Sequence, residues 1–536
     1  MSGFLPDLRA RTIAALRDNF VDVLIMGGGI NGAGILRDLC LRRSSAGISL
    51  TIALTEQNHF ASATSGKNSQ LIHGGLRYLK YLKVGLVKES LKERATLRRI
   101  APHLVEPLAF LMPIYSRLDK IKYMMGLTMY DQLAGDQNIS KHREVGKSEF
   151  RQLEPNLDTT GMVSGALFYD CIVHSARFVL ENLFDAAANG AYIANYIRAT
   201  PKERQPDGTW RVEYHDRIYE EKFEGYARKI IDATGAWSQP GDTKPRLVRG
   251  SHLIFPRLIS EDHAIAYFDD KGRIIFFIPW GEDKQLTLVG TTDVDHQEGP
   301  NQARLSEDEL HYLIQIVQKL YPSAPTHAPI AAYSSLRPLT DSEAENPTDA
   351  SREHKIWNTP DGILHILGGK YTTYRQMSEE ACDLFMKENS TFLSVPCKTA
   401  TEPLCGNSDK ALSRLRSDAA SLAHRYSLAK VDVDRLIREY GVHTRDLLEM
   451  LPAEDYGPIS RVFYGRIAYA VQHEMALRLS DVLYVSSYLG FEHTWDAASL
   501  EIYSHLMGSW LGWDSARQAR EIMLALEVSK CPGAKL

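Results

Sequence analysis

Hydrophobic positions change their spacing several times along the chain, and each change predicts an element. Leu5, Leu8, Ile13, Ala14 and Leu16 recur at helical intervals, which predicts a helix over residues 6–19. Val21-Asp22-Val23-Leu24-Ile25-Met26 is an apolar run of strand length that enters Gly27-Gly28-Gly29-Ile30-Asn31-Gly32-Ala33-Gly34 directly. A helical pattern follows to about Arg43, then a second strand, Leu50–Thr55, ending at Glu56. Strand, glycine turn, helix, strand and acid form the opening of a doubly wound dinucleotide fold.

Residues 86–104 read as an amphipathic helix with a basic outer face. From about 205 to 335 the pattern shortens to β-type runs, including Arg211–Tyr214, His252–Phe255, Ile274–Ile278 and Leu286–Val289. This predicts an antiparallel sheet inserted into the nucleotide fold. Ile363–Leu367 is a further strand leading into Gly368-Gly369-Lys370 and a helix from about Thr372. Residues 388–409 lack periodicity and contain Pro396 and Pro403, so they read as a linker. Beyond it the pattern is almost entirely helical. The expected architecture is an α/β Rossmann-like domain over 1–387, with substrate-binding segments at roughly 101–160 and 246–335. An all-α domain over 410–536 follows the linker.

Composition narrows the function classes. The net charge of -5 offers no global attraction to nucleic acid, so any anion site must be built locally from a few cations. The six cysteines contain no C-x-x-C pair, and no structural metal is expected. Charges at Asp7, Arg9, Arg11, Arg17 and Asp18 interrupt the N-terminal segment, unlike a signal peptide. No stretch reaches the roughly 18 apolar residues of a spanning helix. A cytoplasmic protein, or one resting on a membrane from that side, is expected.

Gly27, Gly29 and Gly32 fit G-x-G-x-x-G. Such a turn lacks Cβ atoms where the chain reverses, and the following helix presents N–H groups and its positive dipole end to a pyrophosphate. Glu56, 29 residues after Gly27, is placed to accept hydrogen bonds from a ribose. A second small-residue turn, Ala233-Thr234-Gly235, closes the strand Ile230–Asp232. By itself it is a strand end, but beside the opening motif it resembles the turn of flavoproteins where backbone passes close to FAD, which implies FAD as the dinucleotide.

Between these turns lies Phe60-Ala61-Ser62-Ala63-Thr64-Ser65-Gly66-Lys67-Asn68-Ser69-Gln70-Leu71-Ile72-His73-Gly74-Gly75-Leu76-Arg77-Tyr78-Leu79. It resembles the signature of FAD-dependent glycerol-3-phosphate dehydrogenases of the aerobic, quinone-linked type. Further matches follow in order at Ile100–Val105, Arg249–His252, Pro279-Trp280, Gly290–Asp293, Leu336–Leu339 and Gly368–Arg375. The resemblance covers about residues 20–385 well and the helical tail more loosely.

The resemblance implies a glutathione-reductase-like or D-amino-acid-oxidase-like flavoprotein fold. It also implies hydride transfer from C2 of sn-glycerol 3-phosphate to flavin N5. Residues suited to FAD are Gly27, Gly29, Asn31, Gly32, Glu56, Thr64, Ser65, His73, Gly74, Thr234, Gly235, Gly369, Lys370, Thr372 and Thr373. Arg77, Tyr78, Arg337, Arg352 and Lys370 suit the substrate phosphate and hydroxyls, because guanidinium forks match phosphate. His252, Arg337 and Lys370 are the catalytic candidates, with His252 as general base because imidazole titrates near neutrality. Implied partners are a polyol phosphate, a quinone or other acceptor, a membrane surface touched peripherally and a second copy of the chain. The Met- and Tyr-rich basic stretch Lys120–Tyr130 suits such a membrane contact.

The chain also departs from that family pattern. Ser65-Gly66 stands where many members have Ser-Ser, Gln70 where they have Lys, and Ser175 where Asp is usual. Tyr484-Val485-Ser486-Ser487-Tyr488 replaces an Arg-rich stretch. These changes leave open another polyol phosphate, such as erythritol 4-phosphate, and an oxidase that uses oxygen. A flavin-binding protein without turnover is disfavoured by the cations that only a substrate needs.

Overall fold

The computed structural model describes residues 5–18, 20–76, 83–239, 245–340, 353–388 and 395–530. Two sheets organise the chain. The first is built on the strand Phe20–Met26, which lies parallel to Ile52–Thr55 on one side and to Glu221–Asp232 on the other. Tyr192–Ala194 extends it beyond Ile52–Thr55, and Leu364–Gly368 extends it beyond Glu221–Asp232, both in parallel. The central strand is buried along nearly all its length, which explains why it reads as an unbroken apolar run rather than an alternation. Helix Ile30–Ala46 packs against helices Ser175–Ala188 and Tyr374–Glu388, and its residues Ile35, Leu36, Leu39 and Cys40 are buried in the main core.

The second sheet is mostly antiparallel. Val105–Ile114 pairs with Ser164–Val173 along their whole length, and Arg246–Pro256 pairs with Ala331–Leu339. The strands Ala264–Phe268, Ile274–Trp280 and Leu286–Gly290 complete a meander between them.

One predicted strand belongs elsewhere. Arg211–Tyr214 lies in Trp210–Asp216, which joins Ile197–Arg204 and Glu221–Asp232 in a meander on the nucleotide sheet, not the inserted one. Its alternating burial fits either sheet, so the pattern alone does not choose between them.

The helical tail begins at Asp409, capped by Ser408, whose side chain accepts from the Ala411 N–H. Its helices Asp409–Tyr426 and Lys430–Tyr440 share an apolar cluster with Leu447, Leu448 and Tyr469. No helix among the described residues is long and apolar enough to cross a membrane.

Candidate active site

The glycine turn is built by close approach. Gly27 has φ +108, and a Cβ there would sit 2.5 Å from the Ala233 carbonyl oxygen. A Cβ on Gly32 would sit 1.9 Å from the Gly27 carbonyl oxygen, so only glycine lets the helix begin this close to the strand. The first helical N–H, from Ile30, donates to Ser65 Oγ at 2.9 Å. The N-cap is Gly29, which has no side chain to cap with, so the Ser65 hydroxyl brought from a distant loop does that work.

Glu56 ends its strand with both carboxylate oxygens occupied. Gly28 N–H donates to one at 2.7 Å and Asn58 N–H to the other at 2.8 Å. Burial pushes this carboxyl up, and the two backbone donors oppose that shift. Each oxygen retains a lone pair for a ribose hydroxyl. These residues fit a dinucleotide: a glycine cradle that a Cβ would fill, a helix start with Asn31 in the cavity wall and a fixed carboxylate.

Gly27, Gly29, Ile30, Glu56 and Ser65 line one cavity of about 850 Å³, towards the upper end of the range for ligand sites, about 300–1,000 Å³. Gly27, Gly29, Asn31, Glu56, Thr64, Ser65, His73, Thr234, Gly235, Gly369, Lys370 and Thr372 are in its wall, as is Arg337. The Thr64 hydroxyl is committed within the protein, Oγ1 donating to the Leu336 carbonyl at 2.6 Å. Thr234 Oγ1 is likewise committed to Asp232 at 2.5 Å.

Four predicted residues stand behind the wall. Gly32 is enclosed by the glycine turn itself. Gly74 packs against Tyr130, whose hydroxyl accepts its N–H at 2.8 Å. Thr373 is buried under Lys370. His252 is the consequential case: it does not reach the cavity, and its Nε2 lies 2.9 Å from Ser69 Oγ, with Ser69 in the wall between. Burial, reinforced by the charge of Arg337, pushes His252 down to about 3, so the ring is neutral near pH 7. It lies opposite Gly290 in the sheet and is stacked on Tyr333. Arg77, Tyr78 and Arg352 lie outside the described residues.

Arg337 is held rigidly at the wall. Its Nη1 donates to Asp293 Oδ1 at 2.7 Å and to the Thr292 carbonyl at 3.2 Å, and Nη2 donates to Thr291 Oγ1 at 2.8 Å. Gly250 makes room, since a Cβ there would meet the guanidinium at 2.3 Å. Lys370 follows Gly368 and Gly369, both at positive φ, and its Nζ donates to Ser90 Oγ at 3.0 Å. His73 is tied to the same loop through Thr372 Oγ1.

Two acids in the wall had no role assigned from sequence. Asp293 orients Arg337. Asp170 accepts from Tyr130 at 2.7 Å and from the buried Arg94 at 2.6 Å, fixing the backbone at Gly74. Asp293 lies in a stretch that matches a family motif and Asp170 in none of them, and only contacts between distant segments show what each holds. The departures from the family pattern also converge: Gly66, Gln70, Ser175 and Tyr488 form a single hydrogen-bonded cluster behind the loop 60–70.

Fold and site together define a two-sheet dinucleotide-binding protein with a cation-bearing cavity. A family model described as FAD dependent oxidoreductase matches residues 22–375, and one described as the C-terminal domain of alpha-glycerophosphate oxidase matches residues 397–518. The aerobic glycerol-3-phosphate dehydrogenase of Staphylococcus aureus (strain USA300) is 30% identical over 494 residues, covering 87% of this chain and 86% of its own. The glycerol-3-phosphate dehydrogenase from Bacillus halodurans, solved with FAD, has the same fold (TM-score 0.79, 24% identity, 98% of this chain and 99% of that one). L-alpha-glycerophosphate oxidase from Mycoplasma pneumoniae, solved with FAD bound, shares it over 70% of this chain and 96% of its own (TM-score 0.54, 18% identity). The chain belongs to the FAD-dependent glycerol-3-phosphate dehydrogenase family.

Proposed function

We propose that the protein oxidises sn-glycerol 3-phosphate to dihydroxyacetone phosphate and passes the electrons to a quinone at a membrane surface. The observation that carries the substrate reading is the fixed Arg337 guanidinium in the same cavity wall as the glycine turn and Glu56. FAD, held along that turn, supplies the two-electron acceptor for the hydrogen at C2. Arg337 and Lys370 bind and orient the phosphate end, with Arg77, Tyr78 and Arg352 proposed to complete the clamp. His73, in the wall beside the Lys370 loop, takes the proton of the C2 hydroxyl. His252 supports the site one hydrogen bond further out, by orienting Ser69. The proposed domain division is 1–387, 388–409 and 410–536.

The membrane reading rests on helix Arg117–Ala134. Leu118, Ile121 and Met125 share one face at i, i+3 and i+7 and are 80%, 59% and 68% exposed. Arg117 and Lys122 flank that face, a combination suited to lying on an anionic bilayer.

The test is anaerobic titration of the yellow holoprotein with glycerol 3-phosphate. Loss of the flavin absorbance supports the reading. Bleaching by erythritol 4-phosphate alone would keep the mechanism and overturn the substrate. Turnover in air with stoichiometric peroxide and no stimulation by a quinone would replace the dehydrogenase by an oxidase.

A further inference from the structure

The cofactor loop 60–70 is braced from an unexpected direction. The helical tail contains a π-helical turn, Val482–Ser486, and two residues later Tyr488 adopts φ +60. Bulky residues rarely adopt that left-handed conformation, and it persists where the surroundings over-determine it. The surroundings here are specific. The Tyr488 ring stacks flat on His174, with centroids 4.2 Å apart and planes 2° from parallel, and also lies against Trp280 at 5.4 Å.

Its hydroxyl is buried and fully used. It donates to the Gly66 carbonyl at 2.8 Å, accepts from the Ala176 N–H at 3.1 Å, and lies 3.3 Å from Ser175 Oγ. Gln70 strengthens the same point: its Nε2 donates to the Gly66 carbonyl at 3.1 Å and its Oε1 accepts from the Ser175 N–H at 2.8 Å. Gly66 also packs closely on its own loop, where a side chain would not fit: a Cβ there would sit 2.3 Å from the Ala61 carbonyl oxygen.

The residues beside Gly66 are those that face the cofactor. Ser65 accepts the first N–H of the glycine-turn helix, and Thr64 ties the loop to Leu336, next to Arg337. A shift of Gly66 therefore moves the helix-start acceptor and the tie to the substrate strand together. We propose that Tyr488 is a positioning residue: through its hydroxyl the C-terminal helices set the geometry of the loop that holds FAD. The inference rests on FAD occupying the glycine turn.

The rival explanation is that Tyr488 only glues the helical tail to the body. Two variants separate them. Tyr488→Phe keeps the stacked ring and removes the hydroxyl. Tyr484→Phe removes a hydroxyl that bonds only within the tail, to the Ala525 carbonyl at 2.8 Å and Ser529 Oγ at 3.1 Å. Flavin-stripped protein is titrated with FAD by fluorescence quenching, alongside thermal melts. Positioning predicts that Y488F raises the FAD Kd about 5- to 10-fold, the size of one lost buried hydrogen bond. Y484F lowers Tm but leaves that Kd within twofold of wild type. The proposal is overturned if Y488F changes only Tm, or if Y484F weakens FAD equally. A wild-type chain that takes up no FAD overturns both this inference and the cofactor assignment beneath it.

Discussion

Asp293 Oδ1 accepts from Arg337 Nη1 at 2.7 Å, and that pair fixes which edge of the guanidinium is left for a ligand. A charged pair in the wall of a cavity pre-pays the orientation of a phosphate binder, so less freedom is lost when substrate arrives. Arg337→Lys keeps the charge and loses the fork; kcat/KM for glycerol 3-phosphate is expected to fall roughly 100-fold. Asp293→Asn should cost about 10-fold by loosening the same group. Gly250→Ala, which crowds the guanidinium without touching charge, should fall between them. Wild-type kcat/KM in R337K would remove Arg337 from the substrate site.

His252 makes stability depend on pH. Its ordinary value is 6.5, and in the fold it is pushed down to about 3, chiefly by burial. The unfolded chain therefore binds a proton below pH 6.5 that the folded chain refuses until near pH 3. Stability is fully present above 6.5 and is lost as pH falls through that window. At pH 5 the loss attributable to this ring is about 2 kcal/mol. Urea unfolding of wild type and His252→Gln at pH 7.5 and pH 5 should show the wild type losing that much more. Parallel losses in both proteins would mean that His252 titrates normally.

Arg94 is completely buried, and Asp170 is its carboxylate partner at 2.6 Å. Removing the acid leaves a charge in the core without compensation, which costs about 3–5 kcal/mol. Asp170→Ala is expected to be destabilised by that amount in urea, and the double variant Asp170→Asn with Arg94→Met by clearly less. A near-wild-type midpoint for D170A would show that Arg94 finds water or another partner.

The apolar face of helix Arg117–Ala134 predicts a membrane phenotype separable from chemistry. Replacing Leu118, Ile121 and Met125 together by Ser removes side chains worth about 1.5–3 kcal/mol each when fully buried. Co-sedimentation with anionic phospholipid vesicles should fall at least tenfold, while activity with a soluble acceptor stays at the wild-type level. Undiminished sedimentation would move the contact to another surface.

Local sequence determined the elements whose physics is local. The run Val21–Met26 with its glycine turn could be little else, because a pyrophosphate-binding reversal needs missing Cβ atoms at fixed offsets, and Gly27 and Gly32 meet Ala233 and their own turn as that requires. Glu56, the strand Leu364–Gly368 and the helical tail from Asp409 were legible for similar reasons. The family motifs single out Arg337 and Lys370, and the structure places both in the cavity wall.

Tertiary structure decided what depends on register and on contacts between distant segments. A period-two pattern says that Trp210–Asp216 is a strand but not which sheet it joins. The sequence puts His252 at the head of a strand and reads it as a base; in the structure it lies inside the strand Arg246–Pro256, with Ser69 between its Nε2 and the cavity. Asp170 and Asp293 are ordinary acids in sequence; long-range pairing with Arg94 and Arg337 gives them their work. Gly66, Gln70, Ser175 and Tyr488 look like unrelated departures until the fold brings a tyrosine hydroxyl from position 488 to a carbonyl at position 66, because hydrogen bonds depend on distance in space and not on distance along the chain.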